Sequence, residues 1–265
     1  MIIVINWICH QWLEFTEDKT IGQVLSACSF VCHAWRNQVR HNFHNHARIC
    51  YEQLSSLSNA LRSNVLLSLH ITGISITRKC KVFPISPFAV IHRLPRLGYL
   101  SIDQLDLARE HRWLNRAPLF HSVRALHLSF HQSCQLSQLI RFINAFSSLS
   151  SLEISFASHA PYELEHNGQI LCKPSYINMR SLNQLRLDLI PGTSKLIDWF
   201  FQARPLLACL KIVILYLSNL RYEPEFRLGF EGVRRILACC RASVEDIRLY
   251  VDVAPRTETA FESAS

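Results

Sequence analysis

The pattern apolar-x-x-apolar-x-apolar recurs along this chain at Leu97-Leu100-Ile102, Val123-Leu126-Leu128 and Leu149-Leu152-Ile154, with starts 26 residues apart. It returns at Leu182-Leu185-Leu187, after a longer interval of 33 residues, and again at Val244-Ile247-Leu249. Between those last two, the run ACLKIVILYL fits the template from either Leu207 or Leu210, and a weaker copy reads Leu66-Leu69-Ile71. A single triplet arises by chance. Five or six copies at a period of about 20–29 residues confine the chain to repeating units, each giving one short strand.

The segments between the triplets carry helical periodicity. Ser133–Phe146 places Leu136, Leu139, Ile140, Ile143 and Phe146 on one face. Thr193–Ala203 opens on Thr193 or Ser194 as a cap and stops before Arg204-Pro205. Phe230–Arg241 turns Val233, Ile236, Leu237 and Cys240 inward. Strand then helix, repeated, predicts an α/β fold, a parallel sheet curved into a solenoid with outer helices, and the template resembles a leucine-rich repeat. The expected solenoid spans residues 93–253, after a connector of helix and loop over 51–92 in which Phe83–Val90 is extended or turn-like around Pro84 and Pro87. Pro161–Pro174 reads as an insertion that lengthens one interval, and 254–265 as a disordered tail.

Side chains alternate along a strand, so residues flanking each central apolar position face away from the core. The concave face would then carry Tyr99, Ser101, Asp103, Ala125, His127, Ser129, Ser151, Glu153, Ser155, Gln184, Arg186, Asp188, Asp246, Arg248 and Tyr250. From these, Tyr99, Ser101, His127, Glu153, Gln184, Arg186, Asp246, Arg248 and Tyr250 are the expected contacts to a protein partner. A mixed polar surface with tyrosines suits recognition of a macromolecule better than chemistry on a small molecule.

Composition narrows the classes further. With 49% hydrophobic and 18% charged residues the chain can bury a large core. Only 7 glycines occur, and no phosphate-binding glycine loop is present. The net charge of +8 is spread over scattered basic residues rather than a stripe, which argues against nucleic acid. Most of the 10 cysteines sit in apolar runs, as small hydrophobes in a reducing compartment, so a cytoplasmic or nuclear location is expected, with no membrane span. The carboxylate pairs Glu17-Asp18, Glu163/Glu165 and Glu245-Asp246 do not form an acid/base pair, and His121, His127 and His131 straddle a strand rather than gather around a metal. No catalytic centre, metal site or cofactor is expected.

The stretch LSACSFVCHAWRNQVRHNF, Leu25 to Phe43, holds enough Cys and His for a zinc site on paper. Cys28 and Cys32, however, share an apolar helical face with Leu25 and Trp35, and no knuckle residue surrounds them. They read as packing. The run Leu25-x-x-Cys28-Ser29-x-Val31-Cys32-x-x-Trp35-Arg36, with Arg40 and Phe43 beyond, resembles the second half of the F-box motif in its fungal form. The Leu-Pro dipeptide that normally opens that motif is absent, since no proline precedes Pro84. The first half of the motif is therefore divergent or truncated. The resemblance implies a small all-α helical module over residues 1–50, with Leu25, Phe30, Val31 and Trp35 docking the adaptor of an SCF-type cullin–RING ubiquitin ligase. It further implies that the repeats hold a client protein, and that the ligase chemistry belongs to partner subunits. A repeat scaffold whose degenerate F-box no longer meets a ligase is the alternative expectation.

Overall fold

Short alternating apolar segments, separated by turns and helical runs, give strands whose one face is buried and whose other face stays half open. The computed structural model describes residues 46–77, 86–107, 120–130, 135–156, 181–189, 194–202, 209–217, 223–240 and 243–251. The chain divides between Asp103 and Gln104 into two units. The first holds β1 (His46–Cys50), β2 (Gly73–Thr77) and β3 (Tyr99–Asp103). The second holds β4 (Ala125–Phe130), β5 (Ser151–Phe156), β6 (Gln184–Asp188), β7 (Ile212–Leu217) and β8 (Asp246–Val251). Within each unit the strands pair in parallel, each with its neighbour in sequence. The fold is thus α/β with parallel strands laid down in chain order.

Burial follows the apolar template. Leu126, Leu128, Leu152, Ile154, Leu185, Leu187, Val213 and Leu215 are all at most 1% exposed. Each contributes roughly 1.5–3 kcal/mol of transfer free energy against the ordering cost of its segment. Phe130 and Phe156 stand opposite each other in register, and their rings stack at 5.7 Å.

Equivalent residues also share one backbone device. The last N–H before a strand and the first N–H within it both donate to one carbonyl of the preceding repeat. Gly98 and Tyr99 donate to Thr72, Ser150 and Ser151 to Arg124, and Asn183 and Gln184 to Ser150. Lys211 and Ile212 donate to Asn183, and Glu245 and Asp246 to Lys211. A bond pattern repeated at these five junctions identifies the structural repeat independently of side chains.

Helices α1 (Leu54–Ser63), α2 (Val65–His70) and α3 (Phe88–Ile91) lie in the first unit. Helices α4 (Leu136–Asn144), α5 (Ser194–Gln202) and α6 (Glu223–Cys240) lie in the second. Helix α4 buries Leu136, Leu139, Ile140 and Ile143, with Phe146 buried just beyond it, as the periodicity predicts. Helices α5 and α6 approach closely at Gly232, where an added Cβ would lie 2.7 Å from Ile197 Cδ1, and an Arg235–Asp198 ion pair joins them. In α6, Val233 and Ile236 are buried as expected and Leu237 is half-buried. The helix starts at Glu223, well before the expected Phe230, and Phe230 itself is exposed.

Several expectations are corrected. Leu66 and Leu69 lie in helix α2, not in a strand, because the Asn64 side chain accepts from the Leu66 N–H at 3.1 Å and caps a helix there. The real copy of the template is Ile71-Ile74-Ile76, which starts 26 residues before Leu97 and is buried throughout. Strand β2 therefore lies inside the segment read as connector, and β1 occupies the end of the segment read as all-helical. Phe88–Ile91 is helical rather than extended or turn-like, since Pro87 stands before the first helical residue, where a missing N–H costs nothing. The run ACLKIVILYL takes its register from Leu210. Finally, Ile247 and Leu249, expected in the core, are 51% and 41% exposed. The Pro161–Pro174 insertion and the 254–265 tail lie outside the described residues. Among the described residues no helix is long and apolar enough to cross a membrane.

Candidate functional site

In a parallel sheet whose repeats keep register, the same position in each copy lines up across strands. His127, Glu153, Arg186, Ile214 and Arg248 thus form one row across β4 to β8. Ala125, Ser151, Gln184, Ile212 and Asp246 form the row beside it. On the other side Asp188, Tyr216 and Tyr250 align.

The side chains of these rows are joined. Arg186 Nε lies 3.0 Å from Glu153 Oε1, and His127 Nε2 lies 3.6 Å from the same oxygen. The Arg186 guanidinium sits 4.5 Å from the centroid of the Tyr216 ring, and Tyr216 stacks on Tyr250 at 4.7 Å with 8° between planes. The result is a continuous run of contacts His127–Glu153–Arg186–Tyr216–Tyr250 from β4 to β8. With side chains 39% and 25% exposed, the Arg186–Glu153 ion pair is worth at most about 1 kcal/mol. The cation–π contact adds a similar amount. This ladder orders a surface more than it stabilises a fold.

At the end of β6 the Asp188 carboxylate Oδ2 accepts the Phe156 N–H at 3.2 Å. Burial pushes its pKa up to about 6, against the lowering effects of that hydrogen bond and of Arg186. On β8, Arg248 pairs with Asp246 on its own strand at 2.8 Å. This bond and the carboxylate's charge hold the guanidinium above its usual range.

The first unit has a different face. His46 Nε2 and Ser75 Oγ share a hydrogen bond at 2.8 Å, and the His46 ring stands 4.9 Å from Tyr99. Burial, with the Arg48 charge adding, holds His46 below the usual imidazole range. The ring lies over Gly73, where a Cβ would come within 2.8 Å of Nδ1. One ring nitrogen is thus turned to the strand backbone and the other to Ser75, a packing arrangement rather than a base held over a nucleophile. Ser101 is half-buried in the row of Arg48 and Ser75.

The expected partner contacts thus divide. His127, Glu153, Arg186 and Tyr250 belong to the ladder of the second unit. Gln184 and Asp246 stand in the neighbouring row, and Arg248 in the ladder's own. Tyr99 and Ser101 sit on the face of the first unit. Leu25, Phe30, Val31 and Trp35 lie outside the described residues. Sequence reasoning missed Tyr216, Ile212 and Ile214, because Ile-Val-Ile-Leu-Tyr-Leu is apolar on both parities and conceals its alternation. It also missed His46 and Ser75, whose strands it did not assign.

Among the described residues no group of three or more His, Cys, Asp or Glu side chains could hold a metal ion. Comparison with protein-family models finds no match, and comparison with curated proteins finds no similar sequence.

Proposed function

We propose that the chain is the substrate-recognition subunit of an SCF-type cullin–RING ubiquitin ligase, a leucine-rich-repeat solenoid that binds its client on the half-buried face of the strands. The observation that carries this reading is the ladder from His127 to Tyr250, a row of arginine, tyrosine and carboxylate side chains held in register by parallel strands. Arginine and tyrosine dominate the residues that matter energetically at protein interfaces. The F-box resemblance of Leu25 to Phe43 supports the adaptor-docking half, with Leu25, Phe30, Val31 and Trp35 as the apolar contacts. On this reading the chain performs no chemistry of its own and acts in the cytoplasm or nucleus.

Co-purification tests it. The full chain should retain the SCF adaptor, and Trp35→Ala should release it. Arg186→Glu combined with Tyr216→Ala should retain the adaptor and lose client proteins. Failure of the full chain to retain adaptor, under conditions where an intact F-box protein does, would overturn the ligase assignment. The absent Leu-Pro dipeptide favours a second reading, a repeat scaffold with a degenerate F-box. Grafting a Leu-Pro-containing segment ahead of Leu25 and recovering the adaptor would single out the first half of the motif as the lesion.

A further inference from the structure

Among the described residues only β2 pairs with strand β1. A strand held on one side frays more readily than one held on both. One side chain of β1 supplies an extra hold. His46 leans across β2, shares a hydrogen bond with Ser75 Oγ at 2.8 Å, and brings its ring within 4.9 Å of the Tyr99 ring on β3. It crosses at its own register partner, Gly73, where a Cβ would lie 2.8 Å from Nδ1. The imidazole thus ties three strands together over a position that glycine leaves clear.

We propose that His46 is an acid-sensitive latch on β1, closed while the imidazole is neutral and opened by its protonation. With its proton on Nε2, the neutral ring donates to Ser75 and leaves a bare Nδ1 over Gly73. The second proton would go on Nδ1, which lies over the Gly73 methylene and makes no hydrogen bond among the described residues. The surroundings oppose the added charge as well. On β1 the charged neighbour is Arg48, a like charge. Ser75 on β2 and Tyr99 on β3, the side chains that meet the ring, bring no carboxylate. The carboxylate of these three strands, Asp103, closes the far end of β3, about 13 Å along the strand from Tyr99.

Burial and then the Arg48 charge hold the imidazole of the closed form below its ordinary 6.5. Opening β1 returns the ring to water and to that ordinary value. Between the two values the open form takes up a proton that the closed form does not. The hold on β1 is therefore complete above about pH 7 and is lost as pH falls through 6.5. With the latch open, the ordered strands of the first unit begin at β2. The inference does not depend on the ligase reading.

NMR of the imidazole ring protons in the full chain should place the His46 titration below 6.5. Hydrogen exchange read by mass spectrometry at about pH 7.5 and about pH 5.5 should show protection factors over His46–Cys50 falling at the lower pH, while those over β7 hold. His46→Phe keeps a ring over Gly73 and against Tyr99 but takes no proton. Its β1 protection should be about fivefold lower, from the missing Ser75 bond, and equal at the two pH values. Gly73→Ala pushes the ring off β2, so the His46 titration should return toward 6.5. A wild-type titration at or above 6.5, β1 protection that ignores pH, or a loss shared by β7 would each overturn the proposal. So would the same pH-dependent loss in His46→Phe, or a titration that Gly73→Ala leaves in place.

Discussion

Strands β7 and β8 carry the same template in the same register, yet Leu215 is 0% exposed and Leu249 41%. The two leucines differ in their neighbours rather than in their own chemistry. Strand β7 lies between β6 and β8, so its apolar face is covered from both sides. Strand β8 has a strand neighbour on one side only among the described residues. In a repeat protein each unit contacts only its neighbours, so a strand with one described neighbour is covered less than a strand with two. An apolar alternation therefore fixes which side of a strand faces inward, while the adjacent repeat decides how far that side is buried.

The largest expected effect tests this contrast directly. Leu215→Ala removes a buried side chain and should cost about 2–5 kcal/mol of unfolding free energy. Leu249→Ala, at an exposed position, should cost under about 1 kcal/mol in the isolated chain. Urea unfolding of dilute protein gives both values. Equal losses would mean that β8 is covered in solution, and the distinction between the two strands would fall.

This contrast also marks how far the sequence carries. The repeat period, the parity of β3 to β6 and the inward face of helix α4 were all legible, because each depends on local alternation between apolar and polar residues. Two strands were not. Strand β1 reads His-Ala-Arg-Ile-Cys, and a small alanine beside one isoleucine makes too weak an alternation to stand out. Strand β2 was hidden by a competing triplet at Leu66, and its true start at Ile71 keeps the 26-residue spacing that should have decided the matter. A capping asparagine outweighs the apolar pattern there, and it is a local signal. In β7 the outward positions hold isoleucine, so alternation vanished and Tyr216 dropped out of the expected face. The pairings of the ladder, and the exposure of β8, belong to tertiary structure and have no local signature.

A smaller effect concerns Asp188, which lies inside the covered region opposite Tyr216. Its pKa is raised from 3.8 to about 6, chiefly by burial. The folded chain therefore holds a proton on this group between about pH 4 and pH 6 that the unfolded chain has released. The group's contribution to stability is full below about pH 4 and is lost as pH rises through 6. Asp188→Asn keeps an oxygen acceptor for the Phe156 N–H and removes the titration. The variant should be more stable than wild type above pH 6, by roughly 1–2 kcal/mol after allowance for partial exposure, and equal to it near pH 4. Thermal melts across pH 4–8 check this, and parallel curves for the two proteins would show that the carboxylate is better solvated than its position implies.

The smallest effect compares the two ion pairs of the outward rows. Glu153 and Arg186 join neighbouring strands at 3.0 Å, with side chains 25% and 39% exposed. Asp246 and Arg248 sit two apart on β8 at 2.8 Å, with side chains 37% and 55% exposed. Distance alone would rank the second pair higher. Screening and anchoring reverse the order, because the Arg186 guanidinium is also held against the Tyr216 ring and loses less side-chain freedom on pairing. Double-mutant cycles to alanine should give a coupling of about 0.5–1 kcal/mol for Glu153–Arg186 and less for Asp246–Arg248. Added salt should shrink the β8 pair first, since exposed charges are the more readily screened. A coupling at Asp246–Arg248 equal to the other would mean that the β8 pair is desolvated in solution, as it would be with a second strand laid along that edge.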